Sequence, residues 1–355
     1  MTDPHRPEAD ARPAAVLRGL GTFLPPRVVT NHELSERMDT SDEWIRTRTG
    51  IRERYWVEPG TATGDLAVEA GARALKSAGV DTVDAVVLAT TTPDHPCPAT
   101  APWVAARLGL GRVPAYDIAA VCAGFVYALA NAAGLILAGV ADRVLVIGAE
   151  TYSSILDPAD RNTAVIFGDG AGAVVLEAGR ADEPGALLGF DLGSDGGQHD
   201  LIAIPGGGSR QRSGGNPPDP AGSYFTMQGK RVFVQAVTSM GGSSRALLER
   251  LGWAGDTVDR LVGHQANVRI LHAVADDLGI DRERAIVNLD RVGNTSAASI
   301  PLALADAAAA GDLRPGERVL LTAFGGGLAW GSTALVWPDI NPNRHHPTRP
   351  ERWTP

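Results

Sequence analysis

The sequence predicts an α/β fold made of two duplicated halves. Short apolar strands alternate with helical stretches along the whole chain, the pattern of largely buried sheets covered by helices. Strings in the second half repeat strings in the first. Val83-Asp84-Ala85-Val86-Val87 returns as Val258-Asp259-Arg260-Leu261-Val262, Ala141–Val146 as Gly316–Leu321, and Gly172–Leu176 as Ser332–Val336. With 355 residues, 44% hydrophobic and 21% charged, the composition is that of a soluble globular enzyme, which excludes a disordered chain and a coiled coil.

The elements follow in order. Residues 1–13 are polar and charged, lack an apolar h-region, and read as a flexible extension rather than a secretory signal. Strands are expected at Ala14–Gly21, Val83–Thr91, Ala115–Ala119, Arg143–Gly148 and Gly172–Leu176. A helix is expected over Thr63–Ala78, with Leu66, Ala70 and Ala74 on one side and Gly79 as its stop. The stretch Cys122–Ala138 is apolar nearly all round, so it is expected to lie between layers. In the second half Ala285–Asn294 leads into Thr295–Ala310, as Ala115–Cys122 leads into Ala123–Ala138. The halves divide at 14–182 and 183–338. The tail 339–355, with its prolines, arginines and the pair His345-His346, reads as flexible and as a poor metal site. Gly193–Ser223, dense in Gly, Pro, Ser and Asn, is too long for a plain connector; it is either a wall of a substrate site or an insertion.

Composition also excludes partners. A net charge of −9 argues against nucleic acid and anionic membranes, which both want a basic face. Lys76 and Lys230 are the only lysines, and with so much Ala and Gly this reads as a GC-rich coding bias. No run of 18 apolar residues exists to span a bilayer. Two cysteines cannot form a disulfide framework and suggest a reducing, cytoplasmic setting.

Few residues could carry chemistry. Cys122 stands where a strand meets a buried helix; the partial positive charge there lowers a thiol pKa, and Ala123 and Gly124 leave room for a reactant. An inert core cysteine remains the alternative. Cys97, between Pro96 and Pro98, has no such setting and reads as a small pocket or packing residue. His264 follows the strand Asp259–Val262, and Asn294 lies at the turn that mirrors Cys122. Each has a structural alternative, a satisfied histidine and a helix cap. Duplication brings related turns together near a pseudo-twofold axis. Phe324-Gly325-Gly326-Gly327 after a strand is either an oxyanion-type cradle or a tight turn. Gly168–Gly172 precedes a strand, the wrong context for a dinucleotide loop, and reads as structural.

Taken together, Cys122, His264, Asn294 and the Phe-Gly-Gly-Gly turn resemble the β-ketoacyl-acyl-carrier-protein synthase III family of the thiolase superfamily. The strings Asp39–Ile45, Thr47–Arg54, Ile166–Ala173 and Gly293–Ile300 carry the same resemblance, which covers about residues 14–338. It implies a five-layer αβαβα fold, a homodimer, and decarboxylative condensation of an acyl-CoA starter with malonyl-acyl carrier protein, with no cofactor. Cys122 would form the acyl-enzyme. His264 and Asn294 would stabilise the malonyl-derived enolate, and the Cys122 and Gly326 N–H groups would form the oxyanion hole. By the same resemblance Trp44 and Arg161 sandwich the CoA adenine and Arg48 meets its phosphates. Asn267 and Gly229 line the pantetheine tunnel, and Phe324 gates the cysteine.

Two departures matter. Where relatives often carry a phenylalanine that caps the acyl pocket from the partner subunit, this chain has Cys97, implying a deeper pocket for longer or branched starters. Where members usually place a carrier-facing lysine, it has Val234; Lys230, Arg231 and Arg269 are the substitutes on offer. Both lean towards starter-unit priming of an aromatic polyketide over fatty-acid initiation. Competing readings are an acyltransferase acting on an alcohol or amine, and an acyl-CoA thioester hydrolase with a Cys-His-Asn site. A thiolase needs a second cysteine in the C-terminal turn, a chalcone-type synthase a proline in its glycine-rich signature, and neither is present.

Overall fold

The protein is described by a computed structural model covering residues 12–347 apart from 216 and 218. The expected extension 1–13 lies outside the described residues up to position 11, and the tail does so beyond 347. The first half forms a sheet from β1 (Pro13–Phe23), β2 (Ala85–Ala89), β3 (Ala115–Ile118), β4 (Arg143–Glu150) and β5 (Gly170–Arg180), in the order β1-β5-β4-β2-β3. The second uses β6 (Phe190–Ser194), β7 (Arg260–Gly263), β8 (Arg318–Gly325) and β9 (Ala329–Val336), in the order β6-β9-β8-β7.

These orders are one pattern used twice. β5 runs antiparallel to β1 and β4, and β2 parallel to β4 and β3. Likewise β9 runs antiparallel to β6 and β8, and β7 parallel to β8. The counterpart of β3 shrinks to one parallel bridge, Leu261 to Ala285, so the strand expected there is nearly absent. Paired markers agree to the atom. Asp84 accepts from Arg143 N at 2.8 Å, and Asp259 accepts from Arg318 N at 2.8 Å.

Helices complete five layers: α1 (Asp42–Thr49) stands apart, while α2 (Thr63–Ala78) and α3 (Ala101–Arg107) cover the outside of the first sheet. α4 (Gly124–Leu137) lies between the sheets, and α5 (Gly229–Leu251) and α6 (Val268–Leu278) cover the second. α7 (Ser299–Ala310) joins α4 in the middle layer. The strand period of two sorts side chains between layers. In β4, Val144 and Val146 join the central core while Leu145 and Ile147 join the outer one. α2 ends as expected at Gly79, left-handed at φ 68°.

One expectation needs correcting. The tail expected to be flexible from 339 is held to residue 346: Asn343–His345 forms β10, parallel to β1. His345 stacks on Phe23 at 4.9 Å, and Arg344 and His346 contact Asp306 at 3.1 and 2.9 Å. The two histidines are thus occupied in packing the segment down.

Candidate active site

The turn that carries Cys122 is a 3-10 segment, Val121–Ala123, opening directly into α4. Its mirror, Ser296–Ala298, opens into α7. Val121 at φ 46° and Ser296 at φ 48° are the non-glycine residues with positive φ among those described, and both stand at the head of their turns. Backbone strain at equivalent points of two halves is held in place by the packed core around it. Glycine lets the sheets come this close. A Cβ on Gly325 would sit 2.7 Å from Cys122 N, and one on Gly148 would sit 2.3 Å from Ala297 O.

Cys122, His264, Asn294 and Phe324 line one cavity of about 40 Å³, whose other walls are mainly apolar: Ile202, Phe225, Met227, Val232 and Met240 among them. That volume holds little more than a water. Larger depressions occur around Lys76 and Arg344 and around Arg260 and Asp306, but the cysteine is in neither. An acyl group therefore enters only as wall side chains move, and the two methionines are the most adaptable of them.

Each polar side chain is oriented. His264 N donates to Thr322 O at 2.8 Å, fixing the residue at the end of β7, and its Nδ1 meets Ser299 Oγ at 2.7 Å. With the Ser299 hydroxyl donating to Nδ1, the ring proton stands on Nε2. Burial lowers the imidazole pKa to about 3, so it is neutral at any working pH. Asn294 is pinned by its backbone to Ile166 and Gly168, and its Oδ1 accepts from Ser296 N at 2.9 Å. That bond leaves the amide NH₂ as its donor.

Cys122 departs from expectation. Burial pushes its thiol up to about 12, against a smaller lowering by Ser296 and with a further rise from Glu150. The helix terminus does not leave a standing thiolate in the closed site; desolvation dominates. The sulfur is neutral at rest and must lose its proton as it attacks.

The residues expected to meet CoA also converge. Trp44 is half-buried on α1, with the Arg48 guanidinium 4.6 Å from its ring centroid and that of Arg161 at 5.2 Å. Arg161 is further tied to Asp39 O at 2.5 Å. Asn267 caps α6 through Arg269 N and donates to Arg48 O at 2.9 Å, bridging this cluster to the second half. Gly229 starts α5 and is exposed; neither it nor Asn267 lines the closed cavity. Gly326 is buried against Ile202. Lys230, Arg231 and Arg269 are exposed on α5 and α6, and Val234 stands 59% exposed among them. Cys97 is exposed and does not line the cavity of its own chain.

Gly168–Gly172 is structural: Asp169 accepts from Val57 N and Ser153 N at 2.8 Å, and Gly172 faces Pro301. Gly193–Ser223 folds into short pieces whose Ile202, paired through Met227, is cavity wall. Sequence reasoning missed Ser296, Ser299, Glu150 and the aromatic trio Tyr152, Phe167 and Phe225. The serines had a signal: with Asn294 and Thr295 they are the polar residues of a stretch, Gly293–Ile300, otherwise small or apolar enough to be buried.

Comparison with known proteins points to one family. The family models described as 3-oxoacyl-[acyl-carrier-protein] synthase III and its C-terminal part match residues 116–196 and 248–337. The chain is 70% identical to β-ketoacyl-[acyl-carrier-protein] synthase III 5 of Streptomyces coelicolor, over 92% of this chain and 98% of that protein. It resembles the crystal structure of the 3-oxoacyl-(acyl carrier protein) synthase III of Pseudomonas aeruginosa, with TM-score 0.87 and 54% identity over 93% of this chain and 100% of that one. The priming β-ketosynthase of the R1128 polyketide pathway matches with TM-score 0.85 and 35% identity, over 95% and 99%.

Proposed function

Because the chain belongs to the 3-oxoacyl-[acyl-carrier-protein] synthase III family, we propose that it condenses an acyl-CoA starter with malonyl-acyl carrier protein through an acyl-Cys122 intermediate. One observation carries the reading: a buried thiol, a neutral imidazole with its Nδ1 occupied and an oriented carboxamide share a single cavity. Cys122 attacks the thioester carbon and CoA leaves. Malonyl on the carrier then loses CO₂. His264 Nε2–H and the Asn294 amide donate to the thioester oxygen as the enolate forms, and neither changes protonation. The enolate carbon attacks the acyl-cysteine, with the Cys122 and Gly326 N–H groups on the oxyanion. The Cys-His-Asn hydrolase reading uses His264 as its base. An imidazole lowered to about 3 is a poor one, which favours condensation over hydrolysis.

Trp44, flanked by Arg48 and Arg161, is the candidate CoA platform: the Trp44 ring and the Arg161 guanidinium sandwich the adenine, and Arg48 meets the phosphates. Lys230, Arg231 and Arg269 form the candidate carrier-docking patch, with Val234 as an apolar contact in place of a lysine. Cys97 is exposed and does not line the cavity of its own chain, so a place in an acyl pocket requires a second copy of the chain, as in the homodimer that the family resemblance implies. The likeness to a polyketide priming ketosynthase supports starter selection of that kind, with Cys97 leaving room for longer or branched acyl groups. Among the described residues no helix is long and apolar enough to cross a membrane. The division at residues 182 and 183 is supported by the two sheets, since β5 ends at Arg180 and β6 begins at Phe190.

The test is product analysis with a panel of acyl-CoAs and malonyl-carrier. A 3-oxoacyl-carrier product supports condensation; free acid without malonyl dependence, or an acylated alcohol or amine, contradicts it. In the same panel Cys97→Phe is expected to shift preference towards acetyl-CoA, and an unchanged ranking removes Cys97 from the pocket.

A further inference from the structure

Glu150 is a fully buried carboxyl at the end of β4 that the condensation chemistry above does not use. Burying a carboxyl is costly unless it is hydrogen-bonded, and this one is densely bonded. It accepts from Thr91 N at 3.0 Å, Thr92 Oγ1 at 2.9 Å and Thr90 Oγ1 at 3.3 Å. Its other oxygen accepts from Ser296 Oγ at 3.0 Å. The turn that carries Ser296 packs against the turn that carries Cys122, and hydrogen bonding by the Ser296 hydroxyl lowers the thiol pKa against the larger rise from burial. Ser296 holds the strained φ of 48° at the head of the mirrored turn, so the hydroxyl that reaches the carboxylate is placed by backbone that costs free energy to hold. The titratable groups facing Glu150 are Cys122 across Ser296 and Tyr152 beyond the end of its own strand; the threonines complete its shell.

We propose that Ser296 and Glu150 form the proton relay of Cys122: as the sulfur attacks, its proton passes to Ser296 Oγ and the Ser296 proton to Glu150. This rests on the acyl-Cys122 reading. The new C–S bond to Cys122 forms, the acyl–sulfur bond of CoA breaks, and the departing CoA sulfur takes the proton back from Glu150 by the same hydroxyl. Atoms and charge balance without a further reactant. His264 is thereby left free of the base role, in keeping with its neutral, donor-only part. Glu150 acts through Ser296 and is a positioning residue; Ser296 is the group that exchanges the proton with the sulfur in this relay.

The relay is tested by the pH dependence of two reactions of Cys122 in the full chain, acylation by acetyl-CoA followed by intact mass, and alkylation by iodoacetamide. Burial raises the Glu150 carboxyl to about 7, so both rates in the wild type are expected to climb through that pH as the carboxyl becomes able to accept. Ser296→Ala keeps the backbone N–H that orients Asn294 and removes only the hydroxyl. It is expected to slow both reactions by about a hundredfold and to abolish the climb. Glu150→Gln is expected to do the same. Should either variant that folds keep the wild-type profile, the relay is wrong. A wild type that is alkylated with the expected profile but never acylated leaves the relay standing and overturns the condensation reading instead.

Discussion

The two halves share a frame and differ at their turns. Val121–Ala123 and Ser296–Ala298 have the same 3-10 geometry, the same left-handed leading residue and the same buried helix behind them. Yet Cys122 stands where the other half has Ala297, and Gly325 at the end of β8 stands where Glu150 ends β4. Each strand end backs the opposite half's turn. Gly325 lets backbone press on Cys122 N, and Glu150 accepts from Ser296. Duplication supplied two strained turns face to face; substitution gave one a thiol and the other a serine bonded to a buried carboxyl.

Moving the thiol to the mirror position tests this division hardest. The double variant Cys122→Ala, Ala297→Cys is expected to give no acyl adduct with any acyl-CoA, because Ala297 is only 1% exposed, does not line the cavity and packs on Gly148. An adduct on residue 297 by intact mass would show the turns to be interchangeable. Next in size are His264→Ala and Asn294→Ala. Each is expected to leave Cys122 acylation intact while lowering malonyl decarboxylation by about two to three decades, the usual worth of a preorganised donor to a developing oxyanion. Loss of acylation in either would place that residue with the nucleophile instead.

Ser299→Ala should cost less, about tenfold in condensation, since it frees the histidine tautomer without removing the ring. An unchanged kcat would mean that Nδ1 needs no partner. The last effect is on stability rather than rate. A carboxyl raised from 4.5 to about 7 holds its proton in the folded state and loses it in the unfolded one between those values. Stability therefore falls as pH rises through that window, by on the order of 3 kcal/mol for a group this buried. Glu150→Gln is expected to flatten that fall in urea midpoints measured from pH 5 to 8. His264, lowered from 6.5 to about 3, works in the opposite sense: its contribution is lost as pH falls below 6.5.

Much of the frame was legible in the sequence because it rests on local periodicity. Thr63–Ala78 is the helix expected, bounds included, and Val83-Asp84 and Val258-Asp259 proved to be matched strand-edge markers. Where expectation failed, long-range contacts decided. Asn343–His345 looks like a frayed tail until β1 offers it an edge. Ala285–Asn294 resembles its counterpart but keeps one bridge of a strand, then forms the short helix Leu289–Val292. In the site, Cys122, His264 and Asn294 were legible because their residue types announce chemistry. Glu150 was not: it ends an ordinary apolar strand, and only coordinates bring it 3.0 Å from a serine 146 positions away. The thiol's raised pKa was equally hidden, since a helix terminus can be read from sequence and complete burial cannot.

The most direct measurement is the intact mass of the protein, with peptide mapping, after exposure first to acyl-CoA and then to malonyl-carrier. The wild type should gain one acyl group on Cys122 and lose it only when malonyl-carrier is added, with the 3-oxoacyl-carrier appearing in equal amount. Acylation at another residue, or an acyl group that leaves as free acid before the second substrate arrives, would contradict it.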